Sequence, residues 1–113
     1  MNEIIELAER LGRAISDSPQ AAGLREARSE LDKHEDVKEL LKEFQAQSEK
    51  IARLEDENKP IEVDEKHKLQ GLQEKLVSHD VFKKYTAAQV EYVDLMRKVN
   101  QTLRKQLSKT EAD

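Results

Sequence analysis

The spacing of apolar residues in the last third of the sequence restricts the possible folds more than any other feature. Between residues 80 and 107 they recur every three or four positions, the period of one face of an α-helix. Such a helix is about 42 Å long, whereas a compact globule of 113 residues is about 34 Å across. We therefore expect it to extend past the chain's own core, with a second copy as the favoured cover; the alternatives are frayed last turns or cover by the first helix. The apolar positions are Val81, Tyr85, Ala88, Tyr92, Leu95, Val99, Leu103 and Leu107.

Four further segments share this helical period, and no segment alternates apolar and polar residues as a β-strand does. With three glycines and two prolines the sequence has little material for turns, so its elements are few and long. We predict an all-α fold: a helical bundle of about five helices, two of them long and antiparallel, in a single domain spanning residues 1–113. The predicted helices are 2–15, 19–32, 35–57, 63–77 and 80–107.

Residues that start and stop helices stand between these segments. Ser18 can cap the second helix, and Pro19 suits its first position, where a missing N–H costs nothing. Pro60 ends the third helix. Ser78 is the predicted cap of the fifth helix, with Asp80 in its first turn, where the helix dipole favours an anion.

The third helix has one polar member on its apolar stripe, Gln47. The stripe advances by alternating steps of three and four, as the seam of a coiled coil does. It consists of Val37, Leu40, Phe44, Gln47, Ile51 and Leu54.

A phrase containing histidine occurs twice, as LDKHEDVKELLKEFQ at residues 31–45 and LVSHDVFKKYTAAQ at residues 76–89. In each copy a leucine precedes a short polar break with a histidine, and an Asp-Val pair follows. Polar residues just before an apolar-periodic run are what a helix start requires, because its first N–H groups lack partners. We interpret the repeat as two helix starts.

A metal site is the chemical alternative for the histidines. Asp64 and His67 have the i, i+3 spacing found in helical bundles that hold two metal ions. These two residues are the candidate ligands, but no second copy of the unit follows. We expect no cofactor, and a carrier of metal or a small ligand stays as an alternative function. The wider set comprises His34, His67 and His79 with Glu35, Asp36, Asp64 and Asp80.

Motifs for catalysis are missing from the sequence. It has no cysteine, no serine in a glycine-rich elbow and no glycine-rich phosphate loop. We predict no catalytic residue and no enzymatic activity.

The charges are unevenly distributed along the chain. The body is acidic and the fifth helix is basic, with an overall pI of about 5.5. Direct RNA binding through the basic helix is a further alternative, although the acidic pI does not favour nucleic acid. The first residues lack the pattern of a signal peptide and no apolar run reaches the ~20 residues that span a membrane, so we expect a cytoplasmic protein without membrane contact.

Self-association is predicted along the seam of the fifth helix. Two-fold homodimers are the commonest oligomers of soluble proteins, and the seam continues to residue 107. The predicted dimer or partner interface is Tyr85, Tyr92, Leu95, Val99 and Leu103.

Several phrases, in their order and spacing, resemble the YlbF/YmcA family of small helical bacterial proteins. They cover nearly the whole chain: AERLGRAISDSPQ (8–20), LREARSEL (24–31), VKELLKEFQAQ (37–47), NKPIE (58–62), LQGLQEKLVSHDVFKKY (69–85) and AQVEYVDLMRKVNQTL (88–103). The resemblance implies an all-helical, often self-associating protein with regulatory work in the cytoplasm and no established enzymatic activity.

The resemblance also implies partners. Characterised relatives act with a protein called YaaT in a complex that promotes competence, sporulation and biofilm formation, and that influences mRNA processing through RNase Y. Some relatives carry cysteines proposed to hold an iron–sulfur cluster, which this sequence cannot provide. We interpret the chain as a non-catalytic regulatory adaptor that forms a homodimer and binds family paralogues or an RNase-regulating complex.

Overall fold

Five α-helices make up the described part of the protein. A computed structural model describes residues 2–111, and within that range it contains no strand, which confirms the all-α prediction. The second and fourth helices have the predicted bounds, and the fifth continues four residues further than predicted. The helices are α1 (Glu3–Ser16), α2 (Pro19–Asp32), α3 (Glu35–Asp56), α4 (Val63–Val77) and α5 (Asp80–Glu111).

The described residues divide into two compact units. Residues 28–85 form one, which we call the hairpin unit because it contains α3 and α4. Residues 2–27 and 86–111 form the other, which we call the terminal unit. Both α2 and α5 contribute residues to each unit, and the single-domain assignment stays a prediction.

In the hairpin unit α3 and α4 pack against each other. They run antiparallel, because Gln47 of α3 contacts Glu65 near the start of α4 whereas Asp36 contacts His79 just past its end. Val37 is fully buried in the core that they share with the flanking helix ends. Leu31, Val37 and Leu76 form the buried cluster, with Leu40, Leu41, Phe44, Val81, Phe82 and Tyr85 packed around it.

The turn between α3 and α4 begins with a Schellman motif. Asn58 has a φ of 56°, the left-handed conformation that asparagine tolerates better than most residues. The N–H of Lys59 then reaches back to the carbonyl of Leu54 at 2.9 Å, and that of Asn58 reaches Glu55 at 3.1 Å. Pro60 follows, and α3 ends at Asp56, one residue before the predicted end.

The helix caps agree with the sequence at α2 and differ at α5. Ser18 Oγ accepts the N–H of Ala21 at 3.1 Å, as predicted. Ser78 does not cap α5, because it completes the last turn of α4, where its hydroxyl donates to the carbonyl of Lys75 at 3.0 Å. His79 takes that role, since its Nδ1 accepts the N–H of Val81 at 3.3 Å.

Candidate functional site

An apolar surface on α1 and the end of α5 is the first candidate site. Helix α1 has no buried residue although it is strongly amphipathic, and Ala21 is the one buried hydrophobic residue among those described in the terminal unit. Ile4 is 76% exposed and Leu103 is 47% exposed. We call the six large exposed residues here the α1–α5 surface: Ile4, Ile5, Leu7, Leu11, Leu103 and Leu107.

Within the terminal unit, α1 lies antiparallel along α5. Leu11 lines one groove with Val99 and Leu103, and Ile15 lines another with Tyr92. Residues nearer the C-terminal end of α1 therefore lie beside residues nearer the N-terminal end of α5. It leaves both helices with apolar side chains facing solvent.

The predicted interface residues have different surroundings in the structure. Tyr92, Leu95 and Val99 are half-buried in the terminal unit, and Leu103 is exposed. Tyr85 lies in the hairpin unit, packed against its hydrophobic cluster. Ile5 and Leu7 were not on the predicted interface, although the amphipathic pattern of α1 was a signal that could have found them. The interface itself stays a prediction.

The basic residues near the middle of α5 are partly neutralised within the helix. Asp94 pairs with Arg97 and, at 3.1 Å, with Lys98. The hydrogen bonds from Lys98 and Arg97 hold the pKa of Asp94 below its usual value. This part of α5 therefore offers less positive charge to an anionic partner than the count of its basic residues suggests.

A cluster of two histidines and an aspartate is the second candidate site. His34 stands directly before α3, Asp36 is in the first turn of α3, and His79 stands directly before α5. The two imidazole rings meet edge to face with their centroids 5.7 Å apart. One ligand atom from each of the three residues lies within 4.8 Å of the others.

The hydrogen bonds of His79 determine its neutral tautomer. Because Nδ1 accepts the Val81 N–H, the proton of the neutral ring is on Nε2. That Nε2–H donates to Asp36 Oδ2 at 3.2 Å. Hydrogen bonds from the N–H of Val37 and from His79 lower the pKa of Asp36, so its carboxylate stays ionised to a lower pH than that of an ordinary aspartate.

Asp64 and His67, the ligands proposed from the sequence, are both exposed on α4. Among the described residues they are not part of the group that could jointly hold an ion. Sequence reasoning named His34, Asp36 and His79 only in the wider set. Their sequence separation hid the cluster, since the antiparallel α3–α4 pair brings residues 36 and 79 together.

One known protein family matches the sequence of this chain. The family model described as control of competence regulator ComK, YlbF/YmcA, matches residues 4–108, nearly the whole chain. No curated protein matches the chain. Over the described residues, no helix combines the length and the apolar character needed to cross a membrane. The match to the family model confirms the family resemblance seen in the sequence.

Proposed function

The chain belongs to the YlbF/YmcA family of regulatory proteins, and on that premise we propose that it is a non-catalytic adaptor in the control of competence. Two copies associate through the α1–α5 surface, and the dimer binds other proteins through its charged outer faces. By analogy with its relatives we extend the proposal to a cytoplasmic complex that modulates RNA processing, sporulation and biofilm formation.

The contrast between the two units is the observation that carries this proposal. The hairpin unit buries Leu31, Val37, Leu72 and Leu76, whereas the terminal unit buries Ala21 alone among its described hydrophobic residues. Eight of the ten large hydrophobic residues that are exposed in the described chain belong to the terminal unit. Large exposed apolar patches mark sites of protein association.

A second copy of the chain is the occupant that we favour. A two-fold interface places the same patch on both partners, and the exposed residues of α1 recur at the helical spacing that lets one apolar helix face pack on another.

The oligomeric state tests the association. We expect multi-angle light scattering to find a dimer for the wild-type chain and a monomer for Leu103→Glu, a change at an exposed position that leaves the core intact. Val63→Glu is the matched control, because Val63 is 64% exposed but lies in the hairpin unit. A monomeric wild type, or a Leu103→Glu variant that remains dimeric, contradicts the assigned surface.

A deletion strain of the native host tests the regulatory role. We expect loss of the chain to change transcription that depends on ComK, and re-expression of wild type or of Val63→Glu to restore it. Leu103→Glu should fail to restore it at equal protein level. Pull-down with nuclease treatment should recover a family paralogue or an RNase, and unchanged transcription in the deletion strain contradicts the competence role.

A further inference from the structure

We propose that His34, Asp36 and His79 form a binding site for a divalent transition-metal ion such as Zn²⁺, with solvent completing the coordination. The site is distinct from the α1–α5 surface, because all three residues belong to the hairpin unit. It also differs from the Asp64–His67 pair suggested by the sequence. The proposal does not depend on the adaptor function.

The distances between the donor atoms are close to those of a metal site. Ligand atoms lie about 2.0–2.2 Å from zinc in a tetrahedral arrangement, so two of them are separated by roughly 3.2–3.6 Å. His79 Nε2 and Asp36 Oδ2 are 3.2 Å apart already. A ring nitrogen of His34 lies within 4.8 Å of a ligand atom on each of the other two residues, and side-chain rotation of this half-buried residue can bring it closer.

The N-cap role explains the position of His79 but not that of His34. Ser, Thr, Asp and Asn are the favoured residues at the start of a helix. His34 is the N-cap of α3, yet its side chain makes no capping hydrogen bond. Local sequence rules tend to be broken at functional sites, and here two helix starts that begin with histidine meet in space.

The donor set selects the class of metal. Two imidazoles and one carboxylate suit zinc, cobalt, nickel or ferrous iron, whereas magnesium and calcium prefer oxygen ligands throughout. Three protein ligands leave at least one position for water, as in zinc sites that are open to solvent. Asp36 is exposed and both histidines are half-buried, so an ion can reach the donors from solution.

Metal binding requires a proton shift within His79. Its Nε2–H points at Asp36, and Nε2 can donate its lone pair to a metal only when that proton has moved to Nδ1. The protonated Nδ1 can no longer accept the N–H of Val81. Loading of the site should therefore be visible at the Val81 amide, a spectroscopic signature that a merely structural histidine pair does not produce.

Titration of the full chain with Zn²⁺ by calorimetry and with Co²⁺ by visible absorption tests the site. We expect one ion per chain, weakened at least about tenfold by His34→Asn, Asp36→Asn or His79→Asn, since loss of even an outer partner of a metal site costs 10–100-fold. Asparagine is a favoured N-cap residue, so the histidine variants should fold. Mg²⁺ should not compete.

His67→Asn is the matched control, because it removes an exposed histidine of α4 outside the cluster and should leave binding unchanged. In NMR spectra the ring protons of His34 and His79 and the Val81 amide should shift on addition of Zn²⁺. Absence of binding at about 1 mM metal, a concentration that half-saturates a site with a Kd of 1 mM, overturns the proposal. So does binding that survives loss of His34 and His79, or that His67→Asn abolishes.

Discussion

The side-chain amide of Gln47 donates hydrogen bonds both to the backbone carbonyl of Glu65, at 3.0 Å, and to the Glu65 carboxylate. Gln47 is 3% exposed, the one buried polar residue among those described. Lys50 completes the arrangement by donating to the other carboxylate oxygen at 2.9 Å. A polar side chain on the apolar stripe of α3 thus holds the first turn of α4 and fixes the register of the two helices.

Replacing Gln47 by alanine should destabilise the hairpin unit by about 1–3 kcal/mol, the usual cost when a buried polar partner is lost. Urea denaturation followed by circular dichroism measures this difference. Gln45→Ala is the matched control, because Gln45 is an exposed glutamine of the same helix and its loss should change little. Equal stabilities of the two variants contradict the structural role of Gln47.

The pH dependence of stability should reflect Glu65. Hydrogen bonds from Lys50 and Gln47 lower the pKa of Glu65 from its ordinary value of 4.5. Its contribution to the free energy of unfolding is therefore fully present above the ordinary value and is lost as the pH falls through the lower pKa of the folded state. We expect the advantage of wild type over Glu65→Gln to shrink on acidification from pH 7 to pH 3.

Thermal melts across that pH range measure the Glu65 effect. Glu55→Gln is a suitable control, since Glu55 is an exposed glutamate in α3. A difference between wild type and Glu65→Gln that stays constant with pH is incompatible with this account.

Removing the cap of α2 should cost about 1 kcal/mol. In Ser18→Ala the N–H of Ala21 loses its acceptor, and N-cap serine to alanine changes typically have this effect. Ser29→Ala, at an exposed position inside α2, should be neutral or slightly stabilising because alanine is the better helix former. Chemical denaturation of both variants distinguishes a capping role from a general loss of hydroxyl groups.

Leu95→Asp should either dissociate the proposed dimer or unfold the terminal unit. Leu95 is half-buried, so a carboxylate there meets apolar surroundings whether they come from the same chain or from a second copy. Light scattering combined with circular dichroism separates the two results. A folded, dimeric Leu95→Asp protein means that the seam has been assigned to the wrong side of α5.

Direct RNA binding should be weak and nearly independent of salt. Asp94 engages Arg97 and Lys98, which reduces the charge available to phosphates. Filter binding of single-stranded RNA at a series of salt concentrations, from low to physiological, measures the affinity and its salt dependence. A steep decrease in affinity with salt, lessened in Arg104→Gln and Lys105→Gln, indicates phosphate contacts and favours the RNA-binding alternative.

Helix positions were predictable because apolar spacing and turn residues are local signals. Residues 19–32 and 63–77 were assigned correctly from Pro19, Pro60 and the leucines between them. The cap of α5 was assigned wrongly because Ser78 and His79 both stand in the break, and only the geometry shows that the last turn of α4 uses the serine.

Contacts between residues far apart in the sequence could not be predicted from local sequence patterns. Nothing near Gln47 in the sequence identifies Glu65 as its partner, since the contact depends on how α4 folds back on α3. The same antiparallel arrangement brings His79 to Asp36, a pair separated by 43 positions. The apolar pattern of α1 indicated a helix but not that so much of its surface would stay exposed.

The two units differ in when they can form during synthesis. Every residue of the hairpin unit lies within one continuous stretch, 28–85, so its core can close as soon as that stretch has left the ribosome. The terminal unit combines residues 2–27 with residues 86–111, which lie on either side of that stretch. If nascent chains fold as successive units, the hairpin unit forms first, and the apolar face of α1 has no α5 partner until residues 86–111 have been synthesised.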